Sequence, residues 1–282
     1  MRLSLLAVAL ALSPYGAAAQ PLADDARYAI ERSVVTTLEA ADGHRYRVLI
    51  AWPDAPAPAA GWPVLYVLDG GDNFAIVTET ARRLARAGKR SGVEPGLVVA
   101  VDSGTLPRRV FDYTPATPGY AVPKGAPAHG IETGGADAFL AFVADKLQPM
   151  VTARWSVDRH RQAILGHSFG GLTVLHALFT RPALFDIYVV VSPSLWFGEN
   201  LMRREERGFA PRAGLRVLVT TGADEGGPDA NSGAAAAALV ARLAGEGVSA
   251  RYLSLNGQSH GTTMLASMGE AITTAFGKGV GP

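Results

Sequence analysis

Apolar residues along this chain fall into short runs separated by glycine, proline and polar punctuation. Residues 33–39 and 45–51 read as two strands, and Asp42-Gly43 between them is a strong hairpin signal. A Pro/Ala-rich surface connection spans 53–61. Continuous apolar runs at 63–68, 96–101, 162–165, 187–191 and 215–221 predict buried strands, with a last strand over 249–255. Between them lie helical patterns. One covers 78–87, with Arg82, Arg83 and Arg86 on an exposed face, and one covers 136–151, with Phe139, Phe142, Val143 and Leu147 as its apolar stripe. Further helices are predicted after Ser168, over 234–244 and over 262–276.

Strands alternating with helices predict an α/β domain with a mostly parallel sheet and helices on both faces. No internal repeat or second domain is visible, and no large insertion follows the 187–191 strand, so a helical cap is not expected. Residues 102–135, rich in Gly, Pro, Ala and Thr, read as one long loop, and such a loop inside a compact domain is usually functional or disordered. It is expected to border the pocket.

The N-terminus adds an address. Arg2 precedes an apolar run over 3–12, and Ser13, Pro14 and Gly16 break it. Ala17-Ala18-Ala19 then offers a cleavage site before Gln20. This is the layout of a secretory signal peptide, so residues 1–19 are expected to be removed. Residues 20–282 are expected to form one exported domain, in the periplasm or the medium. No later stretch is long and apolar enough to span a membrane, so no stable membrane insertion is expected after cleavage. With 48% apolar residues a large core can be buried, and a net charge of +1 without a basic stripe argues against nucleic acid as a partner. The absence of cysteine excludes disulfides and thiolate metal sites.

Candidate chemistry centres on Gly166-His167-Ser168-Phe169-Gly170, a G-x-S-x-G match with an apolar strand before it and a helix after it. That context is the nucleophile elbow of α/β-hydrolases. Gly166 and Gly170 are expected to permit a turn that a β-carbon would obstruct. Serine needs a base to take its proton. Of six histidines, His260 lies just after the last strand, where the order Ser, acid, His places the base. The acid is Asp224 or Glu225, in the loop after the 215–221 strand, unless a Ser–His pair works alone. The expected oxyanion donors are the backbone N–H groups of Phe169 and, after the 63–68 strand, Gly71. Arg108 and Arg109 are candidates for binding an acidic substrate group, with surface ion pairing as the alternative. Trp196 and Phe197 read either as a pocket wall or as core.

Several segments together resemble a cap-less esterase group that includes bacterial siderophore trilactone esterases and the broader "putative esterase" hydrolases. They are the run from Val64 to Gly70, Arg108-Arg109 with Asp112-Tyr113-Thr114-Pro115, the stretch from Gly134 to Leu140, the elbow, Ser192-Pro193-Ser194-Leu195-Trp196, and His260-Gly261. The resemblance covers most of the chain after about Ser33. It implies a serine esterase acting on a small-molecule ester without metal or organic cofactor, with Ser168 as nucleophile and His260 as base. It favours Glu225 slightly over Asp224, and it points to Arg109 or Arg108 for substrate binding. A catecholate trilactone is the implied candidate substrate. An acyltransferase using the same acyl-enzyme, or a non-catalytic binding protein on this scaffold, are the alternatives.

Overall fold

Eight strands form one sheet in the order β1-β2-β4-β3-β5-β6-β7-β8. The computed structural model describes residues 28–278, so the expected leader over 1–19 lies outside the described residues. The described residues from Glu31 onward form a compact unit. In chain order it contains β1 (Ser33–Glu39), β2 (Arg45–Ala51), β3 (Trp62–Val67), α1 (Gly70–Ala87), β4 (Leu97–Asp102), α2 (Leu106–Asp112), α3 (Ala136–Phe142) and α4 (Gln148–Arg154). There follow β5 (Val157–His167), α5 (Phe169–Thr180), β6 (Ile187–Val191), α6 (Leu201–Glu206), β7 (Arg216–Gly222), α7 (Ser232–Gly245), β8 (Ser249–Leu255), α8 (His260–Ala266) and α9 (Met268–Phe276).

β2 runs antiparallel to both β1 and β4, and every later pairing is parallel. Because side chains alternate across a strand, the buried run of β3 feeds both faces. Val64, Tyr66 and Leu68 join the core cluster with residues of α3, α4, α5 and α7. Leu65 and Val67 point the other way, to the face that α1 and α9 cover, and both are fully buried. Both faces are thus covered, as the continuous apolar runs require. Only α6 stands between β6 and β7, so the described residues include no separate cap.

Four boundaries differ from the pattern reading, each for a local reason. α1 begins at Gly70, not near residue 78, because Asp69 adopts a left-handed conformation (φ 54°, ψ 51°) that starts the helix directly after β3. The stretch 102–135 is not all loop: it contains α2, where Thr105 caps the Arg108 N–H and a proline sits in the first turn. The helix expected over 136–151 is divided by a π-helical stretch, Val143–Leu147. Pro149, in the first turn of α4, lacks an N–H for regular helix pairing. The closing helix is broken at Ser267, whose hydroxyl bonds the Thr263 carbonyl at 2.8 Å and the Thr220 hydroxyl at 2.7 Å. Such back-bonding bends helices.

Candidate active site

The carboxyl ends of β3, β5, β6, β7 and β8 deliver, in turn, Asp69 to Gly71, Ser168, Ser192 to Trp196, Glu225 and His260. Ser168 sits between β5 and α5 with φ 60° and ψ −119°, a conformation rare for a residue with a side chain. Such strain persists only where the surroundings fix it. Here the Ser168 N–H donates to the Val191 carbonyl at 3.0 Å, and its own carbonyl accepts from Leu172 at 2.9 Å and from Ser194 at 3.2 Å.

The two motif glycines are not equivalent. A β-carbon on Gly166 would lie 2.4 Å from the backbone of Gly170, whereas one on Gly170 would meet nothing closer than 3.5 Å. The expectation that both glycines avoid a clash therefore holds only for Gly166. Gly166→Ala is expected to cost about 3 kcal/mol or more, read as a fall in melting temperature on the order of 10 °C. Gly170→Ala is expected to stay within about 1 kcal/mol of the parent protein.

The Ser168 hydroxyl lies 3.0 Å from His260 Nε2 and 3.3 Å from the Ser194 hydroxyl. His260 opens α8, where Ser259 and Thr262 form a capping box. Its backbone carbonyl is held by His167 Nε2 at 2.9 Å. His260 Nδ1 faces two carboxylates, Glu225 Oε2 and Asp229 Oδ2, each at 3.5 Å. Nδ1 between two acceptors carries the proton, which leaves Nε2 to accept the Ser168 hydroxyl. Ser194 must then donate to Ser168. Burial lowers the His260 pKa, but Glu225 and Asp229 outweigh it and the net shift is upward. Burial holds His167 the other way, at about 4, and the nearby His260 adds to this. His167 is therefore neutral when it supports the His260 loop.

Glu225 is the candidate acid that reaches His260. Burial raises its pKa, but hydrogen bonds from His260, Ser192, the Gly222 N–H and Ser232 outweigh this and hold it at about 2. The last three donate at 2.5, 2.7 and 2.8 Å. Asp224, the other candidate, is exposed, and only its backbone N–H is engaged, with the Gln258 carbonyl at 3.0 Å. It is not brought to His260. Glu225, Asp229 and His260 place ligand-type atoms within 4.8 Å of one another, drawn together by the His260–Glu225 hydrogen bond and the His260–Asp229 ion-pair contact.

Phe169 and Gly71 both lie in the first turn of a helix, α5 and α1 respectively. Their N–H groups therefore have no intrahelical acceptor. Arg109 secures the second of these turns. It forks onto Asp69, with Nε 2.5 Å from Oδ1 and a terminal nitrogen 2.8 Å from Oδ2, and also reaches the His167 carbonyl at 3.4 Å. The Asp69 N–H donates to the Tyr113 hydroxyl at 3.1 Å. Through Tyr113 and Arg109 the 102–135 segment reaches Asp69 and the carbonyl of His167, next to Ser168, and Arg109 is committed to Asp69.

Arg108 faces away. Its guanidinium bonds Asp42 at 2.8 Å and the Tyr46 hydroxyl at 2.7 Å, and lies 2.8 Å from the buried Asp112. These contacts match the ion-pairing alternative given for Arg108. Trp196 is half-buried with its ring edge-on to Phe169 at 5.7 Å, on the Ser168 side, while Phe197 is core.

Pattern reading missed Asp229, Ser194, His167 and Ser192 as parts of this site. Ser192 and Ser194 stand in a segment whose motif is visible, and His167 inside the elbow itself. Asp229 has no local signal, because only the packing of its turn against His260 identifies it.

Comparison with known proteins places the chain among esterases. The chain is 38% identical over 183 residues to a siderophore triacetylfusarinine C esterase of Aspergillus fumigatus, covering 61% of this chain and 59% of that protein. It is 28% identical over 248 residues to a ferri-bacillibactin esterase of Bacillus subtilis, covering 83% and 86%. The chain thus spans about three-fifths of the first relative's length. Among solved structures, the BES protein from Bacillus cereus superposes with a TM-score of 0.80 at 25% identity, over 90% of this chain and 99% of that one. The profile of the family described as "Putative esterase" matches residues 40–262. The fold is that of the α/β-hydrolases, and the chain belongs to this esterase family.

Proposed function

We propose that the protein hydrolyses carboxylic esters through an acyl-enzyme on Ser168, and that its substrates are siderophore esters of the trilactone type. The observation that carries the mechanism is the relay from the Ser168 hydroxyl to His260 Nε2 at 3.0 Å, with Glu225 on the far side of the ring. His260 takes the serine proton as Ser168 attacks the ester carbonyl, then passes it to the leaving alcohol. Water, activated by the same imidazole, releases the acid. The Phe169 and Gly71 N–H groups are assigned to the oxyanion, where loss of one donor typically costs about 10²–10³ in rate. The siderophore assignment is supported by relatives named for siderophore esters. Export to the periplasm or medium is part of the proposal and rests on the sequence of residues 1–19.

Hydrolysis of a short-chain p-nitrophenyl ester and of a catecholate trilactone by the purified protein tests this reading. A higher kcat/KM for the trilactone supports it. Cleavage of the simple ester alone removes the siderophore part, and no cleavage of either removes the hydrolase.

A further inference from the structure

We infer that Asp229 is a second acid for His260, sharing the Nδ1 proton with Glu225, so that two carboxylates position the base. This inference rests on the proposed role of His260. Asp229 Oδ2 and Glu225 Oε2 stand at the same 3.5 Å from Nδ1. The two acids are differently occupied. Glu225 already accepts from Ser192, Gly222 and Ser232, so its charge is largely spread over neutral donors whether or not His260 is protonated. Asp229 is 7% exposed, and its other oxygen, Oδ1, makes no hydrogen bond of ordinary length, with the Trp196 indole beside the carboxylate favouring its charge. Among the described residues its one ion pair is with His260. A buried carboxylate with an unmet oxygen is costly, and the developing imidazolium is the charge that offsets that cost.

The surrounding charges give the inference its signature. His260 is faced by Glu225 and Asp229, which favour its cation, and by Arg109, which opposes it, while neutral His167 bonds its backbone carbonyl. Asp229 is faced by His260, Glu225 and the indole of Trp196, whose buried N–H makes no hydrogen bond of ordinary length but favours the charged carboxylate. Burial pushes the Asp229 carboxyl up, and the neighbouring Glu225 adds to this, against the pull of His260 and of the Trp196 indole. Asp229 is therefore the weaker acid of the pair and gains most when His260 becomes charged. That gain exists in the transition state and not in the bound substrate, so it acts on kcat and not on KM.

The test compares the full chain with Asp229→Asn, Glu225→Gln and the double variant. Readouts are kcat and KM against pH for a short-chain p-nitrophenyl ester, and NMR titration of the His260 imidazole. In the parent protein the acid limb is shifted upward from the ordinary histidine value, because neutral His260 is required and its pKa is raised. Asp229→Asn removes an anion, so the imidazole titration and the acid limb both move down, by about half a unit or more. It also lowers kcat by roughly tenfold at constant KM, within the range for a positioned acid–base partner. The double variant is expected to fall by more than about tenfold below Glu225→Gln alone, because two acids on one proton partly replace each other and losing both costs more than the sum of the single losses.

An Asp229→Asn protein whose His260 titrates like the parent overturns the inference, as does a Glu225→Gln protein already as slow as the double variant. Asp229→Ser serves in the same comparison if the asparagine variant does not fold. If the parent cleaves no ester, the proposed function fails, while the NMR shift still decides whether Asp229 pairs with His260.

Discussion

Ser168→Ala is expected to lower kcat/KM by roughly a million-fold while leaving the fold intact. The serine hydroxyl has two contacts, His260 Nε2 and the Ser194 hydroxyl, and neither replaces an oxygen nucleophile. Its removal leaves the backbone φ of 60° in place, and that conformation is secured by three backbone hydrogen bonds that alanine retains. Loss of activity therefore reports chemistry, not unfolding, and an unchanged melting curve checks this. His260→Ala is expected to be about as severe, and the double variant no worse than either single one, because nucleophile and base act as a unit. A Ser168→Ala protein retaining more than about one per cent of activity would mean that another group attacks the ester.

Arg109→Met is expected to have the second largest effect, on stability and rate together. The Arg109–Asp69 pair is only 24% and 12% exposed. Stranding one member of a fully buried pair costs about 3–5 kcal/mol, so a partly exposed pair is expected to lose about 2–3 kcal/mol. Asp69 in its left-handed conformation sets the first turn of α1 and thereby the Gly71 N–H. Releasing it is expected to lower kcat by about a hundredfold, the scale of one oxyanion donor. Arg109→Lys keeps the charge but not the fork, and most of the rate loss is expected to remain. If Arg109 instead bound substrate, either variant would raise KM for an anionic ester and spare a neutral one. Parallel kinetics on one ester of each kind separate the two roles.

Much of this site is legible in the residues themselves, and the reason is locality. Ser168 announces itself because a strand, a turn and a helix are encoded within some fifteen consecutive positions. His260 follows because chain order in this fold ties the base to the end of the last strand. Glu225 and Asp224 stay unresolved in the sequence, because adjacent residues of a turn point in different directions and only the packed turn says which one faces inward. Arg108 and Arg109 show the same limit more sharply. Once Thr105 starts α2, successive side chains diverge around the helix, sending Arg109 to Asp69 and Arg108 to Asp42 and Asp112. The 102–135 stretch reads as a loop because Gly104 and Pro107 look like breakers, yet a proline in a first turn starts a helix as readily as it ends one. Asp229 is reached through no motif at all, since its role comes from a contact with a residue 31 positions away.

The central claim is that Ser168 is the residue that attacks. Its most direct test is intact-mass and peptide analysis after exposure to a fluorophosphonate, with residual esterase activity followed in the same samples. One covalent adduct on the peptide containing Ser168, formed in step with loss of activity and absent from Ser168→Ala, is the predicted result. An adduct on another residue, or full activity in protein labelled at Ser168, would contradict the account.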